Sequence, residues 1–288
     1  MTQEIQKYDF KKGLPQEFEI IDFDLLFNAF SDKIKIPHRA EFYQIFWFQE
    51  GTPTHIIDFN PIKIKPNSLL FINKGSVQLF DTTTPFKGKA ILFTDNFFCK
   101  TQDDTQFLKS SILFNDLLSI SQVNIAHTLI ASTITRLEQE SKSLKDEYQA
   151  DIIRNDLRNV LLHAERERKK QGFIELKKDI HLEYALQLKD LLDKHFIKHK
   201  SVGFYADAMN ISPKRLNHTT TKIYGKTPKN IIDERILLEC KRLLVHTNEN
   251  IKEIAYSLGF EEPTNFIKYF KKHTNETPVE FREKYPSA

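Results

Sequence analysis

The chain repeats one pattern near its C-terminus, first as ADAMNISPKRLNHTTTKIYGKTP (residues 206–228) and again as AYSLGFEEPTNFIKYFKKHTNETP (residues 255–278). Each copy predicts a helix, a tight turn and a second, basic helix, followed by a Thr-Pro helix start. The matching pairs are Ala206 and Ala255, Met209 and Leu258, Asn210 and Gly259, Ile211 and Phe260, Leu216 and Phe266, and Thr227-Pro228 and Thr277-Pro278. Two helix-turn-helix units in one chain are typical of a protein that reads two grooves of DNA.

Local markers predict where these helices begin and end. A hydroxyl side chain precedes a proline at Ser212-Pro213, Thr227-Pro228 and Thr277-Pro278, which places an N-cap before the first helical residue. Gly225 and its counterpart Asn275 suit the left-handed residue that follows a helix. The pattern predicts helices at about 181–198, 201–209, 212–224, 228–246, 251–258, 263–274 and 278–285.

The helix that joins the two copies sets their separation. Residues 228–245 would span about 27 Å at 1.5 Å per residue. Successive turns of the major groove on one face of DNA lie roughly 34 Å apart. A rigid connector of this length therefore allows the second helix of each copy, at about 212–224 and 263–274, to enter adjacent major grooves, with a small offset or DNA bend.

Polar side chains cover one face of each basic helix. Leu216, Phe266 and Phe270 are spaced to face inward. The opposite faces carry Lys214, Asn217, His218 and Thr221 in the first copy, and Thr264, Asn265, Lys268 and Lys271 in the second. Amides, hydroxyls and lysines are the groups that bind base edges and phosphates.

The N-terminal part of the chain predicts a different fold. Short apolar runs separated by turn-forming residues predict strands at 42–48, 54–59, 62–65, 68–72, 77–80 and 89–93, as in a small antiparallel barrel or jelly roll. Helical periodicity follows at 123–139 and 148–171, in helices that would cover the barrel or pair with a second subunit. The charged segment 165–172 is the expected linker. We therefore expect an α+β protein of two domains, residues 1–172 and 173–288.

The charge, cysteine content and apolar segments of the chain limit the kinds of partner and site to expect. From His195 onward there are 16 Lys and Arg against 11 Asp and Glu, a balance of +5, which leaves −2 for the rest of the chain. The positive charge thus accompanies the duplicated unit, as a polyanion partner requires. Two cysteines are too few for a disulfide framework or a zinc cluster. Because the N-terminus lacks an apolar signal region and no segment has the length of a membrane span, we expect a cytoplasmic protein.

Residues 190–286 resemble the DNA-binding domain of the AraC/XylS family of bacterial transcription regulators. The matching residues are Arg235-Ile236, Lys241 to Leu244, Ile251 to Phe260, Phe266, Lys268, Phe270 to Lys272, Thr277-Pro278 and Phe281-Arg282. The chain departs from the usual family residues at His218, Thr220 and Cys240, and Lys268 stands where the family usually has Arg. The resemblance implies base contacts by Lys214, Asn217 and His218 and by Thr264, Asn265 and Lys268, and phosphate contacts by Lys222, Lys271 and Lys272.

The strands before this domain resemble the cupin-type sensory barrel that many regulators of this family carry. Metal-binding cupins hold their ion with a His-x-His pair and a later histidine. Here His38 is followed by Ala40 in place of the second histidine, and Gln78 stands at the later position. We therefore expect neither a metal site nor another cofactor.

Three functions remain open at this stage. In the first, the barrel binds a small molecule through apolar walls and a few polar contacts, and the C-terminal domain binds DNA. The expected effector-binding residues are His38, Arg39, Phe42, Phe46, Trp47, Phe71 and Gln78, with Tyr43 and Phe80 in the same lining. In the second, the barrel serves only for dimerisation. The third, a metal-dependent cupin enzyme with a DNA-binding tail, is disfavoured by Ala40 and Gln78. Double-stranded DNA is the expected partner, with RNA polymerase and a second copy of the chain as further candidates.

Overall fold

The structure is a computed structural model that describes residues 6–10, 14, 16–34, 36–81, 83–115, 117, 120–173 and 179–285. The chain divides into two compact units, Gln6–Glu175 and Leu176–Ala288, which we call the N-terminal unit and the C-terminal unit. The N-terminal unit combines two sheets with helices, and the C-terminal unit is helical. The expected α+β architecture of two domains is therefore present.

Two five-stranded sheets form the centre of the N-terminal unit. Its elements are β1 (Gln6–Tyr8), β2 (Phe18–Asp22), α1 (Phe23–Ile34), β3 (His38–Ala40), β4 (Tyr43–Glu50), β5 (Thr54–Ile57), β6 (Asn60–Lys63), β7 (Ser68–Ile72), β8 (Val77–Phe80), β9 (Lys87–Phe93), α2 (Asp95–Phe98), α3 (Gln102–Ser110), β10 (Ser121–Asn124), α4 (Ile130–Lys142) and α5 (Gln149–Lys170). The first sheet has the order β1-β3-β8-β5-β6, and the second has the order β10-β7-β4-β9-β2.

Strand β4 is buried on both faces, and this divides the apolar core in two. One face, with Phe46 and Phe48, packs against side chains of the first sheet and of α1. The other face, with Ile45 and Trp47, packs against α4 and α5. Successive side chains of a strand point to opposite faces. A strand covered on both sides therefore reads as a continuous apolar run, which is how residues 45–48 appear in the sequence.

The sheets do not close into a barrel, one of the two arrangements expected. They are two separate sheets, and β1 pairs with β3 in parallel while the other paired strands run antiparallel. The strands expected at 54–59 and 62–65 leave a turn at Asn60-Pro61, and this position is wrong, because Pro61 lies in β6 and pairs with Ile56. The turn falls at Asp58 and Phe59, whose φ angles of 47° and 68° suit a tight hairpin. Proline is tolerated in β6 because this strand lies at the edge of its sheet.

The helical region after the sheets is shifted from its expected position. The first expected helix, 123–139, is wrong at its start, because Val123 belongs to β10, which pairs with β7. Helix α4 begins only at Ile130. The second, 148–171, is confirmed as α5, which contacts α4 and carries apolar residues toward the second sheet. Residues 165–170, expected as a linker, form the last turns of α5.

The C-terminal unit confirms the predicted helices closely. They are α6 (Ile180–His195), α7 (Val202–Ala208), α8 (Pro213–Tyr224), α9 (Pro228–His246), α10 (Ile251–Ser257), α11 (Pro263–Thr274) and α12 (Pro278–Lys284). Ser212 and Thr227 accept backbone N–H groups as N-caps, and Thr277 forms a capping box with Glu280. Gly225 and Asn275 end α8 and α11 with φ angles of 67° and 63°.

The turns of the two helix-turn-helix units also adopt left-handed backbone, at Asn210 and Gly259. Gly259 has a φ angle of 70°, and a Cβ atom there would lie 2.4 Å from the backbone oxygen of Ile197. At Gly225 the φ angle is similar, 67°, but a Cβ atom would meet open space. Of these two glycines, Gly259 combines left-handed backbone with close approach of another segment, and Gly225 does not.

We predict that Gly259→Ala lowers the free energy of unfolding by ~3 kcal/mol or more, because it adds a steric clash to the left-handed penalty. Gly225→Ala is the control for the left-handed penalty alone and should cost about 1–2 kcal/mol. Urea unfolding of the full-length protein, followed by far-ultraviolet circular dichroism, measures both. Equal losses in the two variants would contradict the role assigned to the Ile197 carbonyl.

Candidate functional site

The second helices of the two helix-turn-helix units, α8 and α11, occupy equivalent places in the repeat. Both are 12 residues long, begin at a proline and end at a left-handed residue, with an offset of fifty in the numbering. Leu216 of α8 and Phe266 and Phe270 of α11 are fully buried, as their spacing predicted. The inward faces are thus fixed by packing, and the opposite faces remain at the surface.

All the residues predicted to read bases or bind phosphate are exposed in the C-terminal unit. They are Lys214, Asn217, His218 and Lys222 on α8, and Thr264, Asn265, Lys268, Lys271 and Lys272 on α11. Their exposure leaves amide, hydroxyl and ammonium groups available to a large polyanion. Their contacts with DNA stay predictions.

A buried carboxylate holds α11 against α9. Asp233 of α9 is 5% exposed and accepts a hydrogen bond from the Tyr269 hydroxyl of α11 at 2.7 Å. Lys229 donates to the same carboxylate, and His273 Nε2 lies 3.8 Å from its other oxygen. Burial, together with the bond to Asp233, raises the pKa of Tyr269 far above its ordinary value. Since a buried charge is costly unless it is paired, these contacts restrict how α11 can tilt on α9.

Helix α6, which precedes both helix-turn-helix units, contacts α8, which we call the first recognition helix, α11 being the second. Asp179 caps α6 by accepting the backbone N–H groups of His181 and Leu182 at 2.9 and 3.2 Å, and it also pairs with Lys222. The bond from Lys222 is the main reason that the pKa of Asp179 is lowered. A carboxylate thus occupies a position on Lys222 that a DNA phosphate would need.

Two histidines meet at the same edge of α8. The ring of His181 lies 5.0 Å from that of His218, in an edge-to-face arrangement. His181 Nδ1 also lies 3.0 Å from the Thr219 hydroxyl. Sequence reasoning missed the roles of Asp179 and His181, because they lie outside the repeat and about forty residues from their partners in sequence.

A polar chain crosses the space between the two sheets of the N-terminal unit. His55 Nε2 lies 3.1 Å from Gln78 Oε1, and Gln78 Nε2 donates to Gln44 Oε1 at 2.6 Å. The Phe46 and Phe80 rings surround His55 at 5.5 and 4.4 Å. All three polar side chains are buried. Burial lowers the pKa of His55 to about 3, so its ring is neutral at physiological pH.

The direction of these bonds assigns the histidine proton. Because the Gln78 amide nitrogen donates to Gln44, its oxygen is the acceptor for His55, and the proton of the neutral ring lies on Nε2. Nδ1 therefore carries a lone pair. It is buried and has no hydrogen-bond partner among the residues that the structure describes. A buried acceptor in this state calls for a donor from a bound molecule or water.

The structure separates the predicted effector-binding residues into different places. His38, Phe46, Phe80 and Gln78 belong to the faces between the sheets, where His38 is paired with Gln78 in register. Trp47 and Phe71 lie on the other face of the second sheet, in the core that contains α4 and α5, and Tyr43 is with them. Phe42 contacts Phe10 at 5.3 Å, and Arg39 lies opposite Val77.

The described residues contain no group of three or more His, Cys, Asp or Glu side chains placed to hold a metal ion. Within the same residues, no helix has both the length and the apolar composition to cross a bilayer.

Family comparisons agree with both units. Residues 20–174 match the AraC-like ligand binding domain, and residues 205–284 match a helix-turn-helix domain. The first match alone covers more than half of the chain. The chain belongs to the AraC family.

Named relatives of this AraC-family chain are transcription activators. It is 22% identical over 258 residues to the HTH-type transcriptional activator RhaS of Enterobacter sp. (strain 638), covering 85% of this chain and 87% of that protein. It is 23% identical over 259 residues to RhaS of Citrobacter koseri, with the same coverage. Among solved structures, ToxT from Vibrio cholerae is similar with a TM-score of 0.45 and 16% identity, covering 94% of this chain and 96% of that one.

The pair of Asp179 and Lys222 leads to a prediction about charge. Asp179→Asn keeps a side chain that can cap α6 and removes the carboxylate that competes with phosphate for Lys222. We predict tighter binding to all DNA sequences and a logarithmic salt slope steeper by about 1. Asp103→Asn, which removes the same charge from the N-terminal unit, is the control. Fluorescence anisotropy across a salt series measures both. An unchanged slope in Asp179→Asn would show that Lys222 does not bind phosphate.

Proposed function

We propose that this protein is a sequence-specific DNA-binding transcription regulator, in which α8 and α11 enter adjacent major grooves. The observation that supports this most is the duplication itself, because two equivalent helices each bury an apolar face and expose polar and basic side chains. Both are mounted on α9, whose 19 residues span about 28 Å. This length is close to the spacing of successive major grooves on one side of DNA.

Within this proposal the exposed side chains have separate roles. Lys214, Asn217 and His218 of α8 and Thr264, Asn265 and Lys268 of α11 contact base edges. Lys271, Lys272 and, once released from Asp179, Lys222 contact phosphates. Amides suit adenine and lysines suit guanine, which makes the base contacts the source of specificity and the phosphate contacts the source of affinity.

The direction of regulation and the protein partners are also part of the proposal. Relatives named as activators support activation, which implies contact with RNA polymerase. A second copy of the chain could dock on the exposed apolar residues Tyr148, Ile152 and Leu162 of the α5 region, which lie at helical spacing. Dimerisation would add a second DNA-binding unit and raise affinity for a paired site through effective concentration.

The N-terminal unit is proposed to bind a small effector between its sheets, at the unpaired Nδ1 of His55. A neutral ring with a buried lone pair accepts a hydrogen bond and gives no charge attraction to an anion. The apolar rings of Phe46 and Phe80 would contact the body of the same molecule. A neutral compound with a hydroxyl or N–H group fits this chemistry better than a carboxylate. A regulator with a dimerisation-only N-terminal unit is the alternative.

DNA binding is tested by removing one phosphate contact. We predict that Lys271→Ala weakens binding to specific and random duplexes alike, by roughly tenfold, and makes the salt slope shallower by about 1. Lys145→Ala, an exposed lysine of the N-terminal unit, is the control and should leave both values unchanged. A loss confined to one sequence, with an unchanged slope, would contradict the phosphate role.

Effector binding is tested by measuring the thermal shift of the full-length protein with two kinds of compound. The first kind is neutral (polyols, sugars and amides), and the second kind is anionic (carboxylates). We predict that a neutral hydroxyl or N–H compound raises the melting temperature by about 5 °C at 100 times its Kd, and that His55→Phe abolishes this shift. His163→Phe on α5 is the control and keeps it. A shift that survives in His55→Phe would place the ligand elsewhere, and no shift with any compound would favour the ligand-free alternative.

A further inference from the structure

An apolar side chain is exposed on α11 where the buried face of the helix meets its polar face. Ile267 is 36% exposed, whereas Phe266 and Phe270 are fully buried. Residues three and four apart share a face of a helix, so Ile267 lies near Thr264 and Lys271 on one side and near Phe270 on the other. Single exposed isoleucines are common on protein surfaces, so exposure alone does not indicate a role.

The internal repeat gives an independent reason to place Ile267 toward DNA. The offset of fifty that relates the two helices matches Leu216 to Phe266 and the left-handed Gly225 to Asn275. The same offset matches Asn217 to Ile267, and both are exposed. A surface of α8 that presents residues 214, 217 and 218 thus corresponds to a surface of α11 that presents residues 264, 267 and 268.

The chemistry of isoleucine limits what it can recognise. Its side chain neither donates nor accepts a hydrogen bond, so it gains nothing from a phosphate or from the polar edge of a base. A β-branched residue also lowers helix propensity at an exposed position, so helix stability does not account for it. In the major groove the apolar feature that bases offer is the C5-methyl group of thymine.

We propose that Ile267 is a specificity-determining residue that contacts the methyl group of one thymine in the half of the site bound by α11. This inference rests on the proposed function. Thr264 and Lys268, one turn before and one residue after, would contact the flanking base edges. In α8 the equivalent Asn217 would instead form hydrogen bonds, so the two copies read different base pairs although they share one geometry.

Uracil in place of thymine tests this contact, because it removes the methyl group and keeps the base pair. Full-length protein first selects tight-binding duplexes from a random-sequence pool. Each thymine of the selected site is then replaced singly by deoxyuridine. We expect one replacement to weaken the unmodified protein about fourfold, the loss that corresponds to one buried methyl group. The Ile267→Ala variant should bind the thymine duplex more weakly and be insensitive to that same replacement.

The chain offers a matched control. Ile197→Ala changes the same residue type at a similar exposure, 39%, in the segment between α6 and α7. It should keep the full uracil sensitivity. Circular dichroism of both variants, with helix content equal to that of the unmodified protein, shows that each is folded.

The outcomes separate this inference from the function on which it depends. A single uracil-sensitive thymine whose effect vanishes in Ile267→Ala, and persists in Ile197→Ala, supports the contact. If selection enriches a defined site but no thymine is sensitive, or if the sensitivity is the same in Ile267→Ala, the contact is wrong and sequence-specific binding stands. If selection enriches no sequence at all, the proposed function itself fails.

Discussion

Helix α9 is the constraint on which the DNA-binding surface depends. It packs against α7 and α8 of the first helix-turn-helix unit, α10 and α11 of the second, and α12. Apolar residues on several sides of it are buried, among them Ile231, Ile236, Leu244 and Val245. A helix buried around most of its circumference cannot turn without disturbing both units. The separation of the two recognition helices is therefore set by the length of one rigid element.

Polar contacts fix the units on this helix more specifically than apolar packing does. Asp233 binds Tyr269 of α11, and Arg282 of α12 donates to the backbone oxygen of Leu244 at 2.7 Å. Apolar surfaces can slide over one another at modest cost, whereas a buried carboxylate that loses its donors is strongly destabilising. The second recognition helix is thus held in one orientation, which base reading by side chains requires.

The two recognition helices differ in their electrostatics despite their common geometry. On α8, Lys222 is paired with Asp179, and Arg215 lies over the Tyr184 ring at 5.1 Å. On α11, Lys268, Lys271 and Lys272 are exposed within two turns. We infer that the second helix-turn-helix unit supplies more of the attraction to phosphate and that the first helix-turn-helix unit depends more on base contacts. The departures of the first copy from the family pattern, at His218 and Thr220, both fall in α8.

Local signals in the sequence predicted the helices of the C-terminal unit well. The N-terminal unit was predicted less accurately, because its strands pair with partners far away in the sequence. Helix ends at Ser212, Thr227 and Gly225 were predictable because caps depend on neighbouring residues only. Val123 and Asn124 of β10 fall in the expected helix 123–139, since the strand's partner β7 lies some fifty residues earlier. Trp47 and Phe46 were grouped as one lining, although adjacent strand residues face opposite sides.

The polar partners were the least predictable part of both candidate sites. His55, Gln44 and Gln78 come together only when the two sheets pack, and nothing in the spacing of these residues indicates a contact. The same holds for Asp179 with Lys222, which are 43 residues apart. Such pairs depend on the tertiary fold, while the repeat that predicted the recognition helices is written in the sequence itself.

Hydroxyl-radical footprinting of the full-length protein on a selected duplex tests the central claim, that one helix positions two reading units on one face of DNA. We predict two protected tracts for each bound copy, about one helical turn or 10 base pairs apart. Asn265→Ala should weaken the tract of the second helix-turn-helix unit and leave the other unchanged. A single continuous tract of about half a turn, or equal weakening of both tracts, would contradict it.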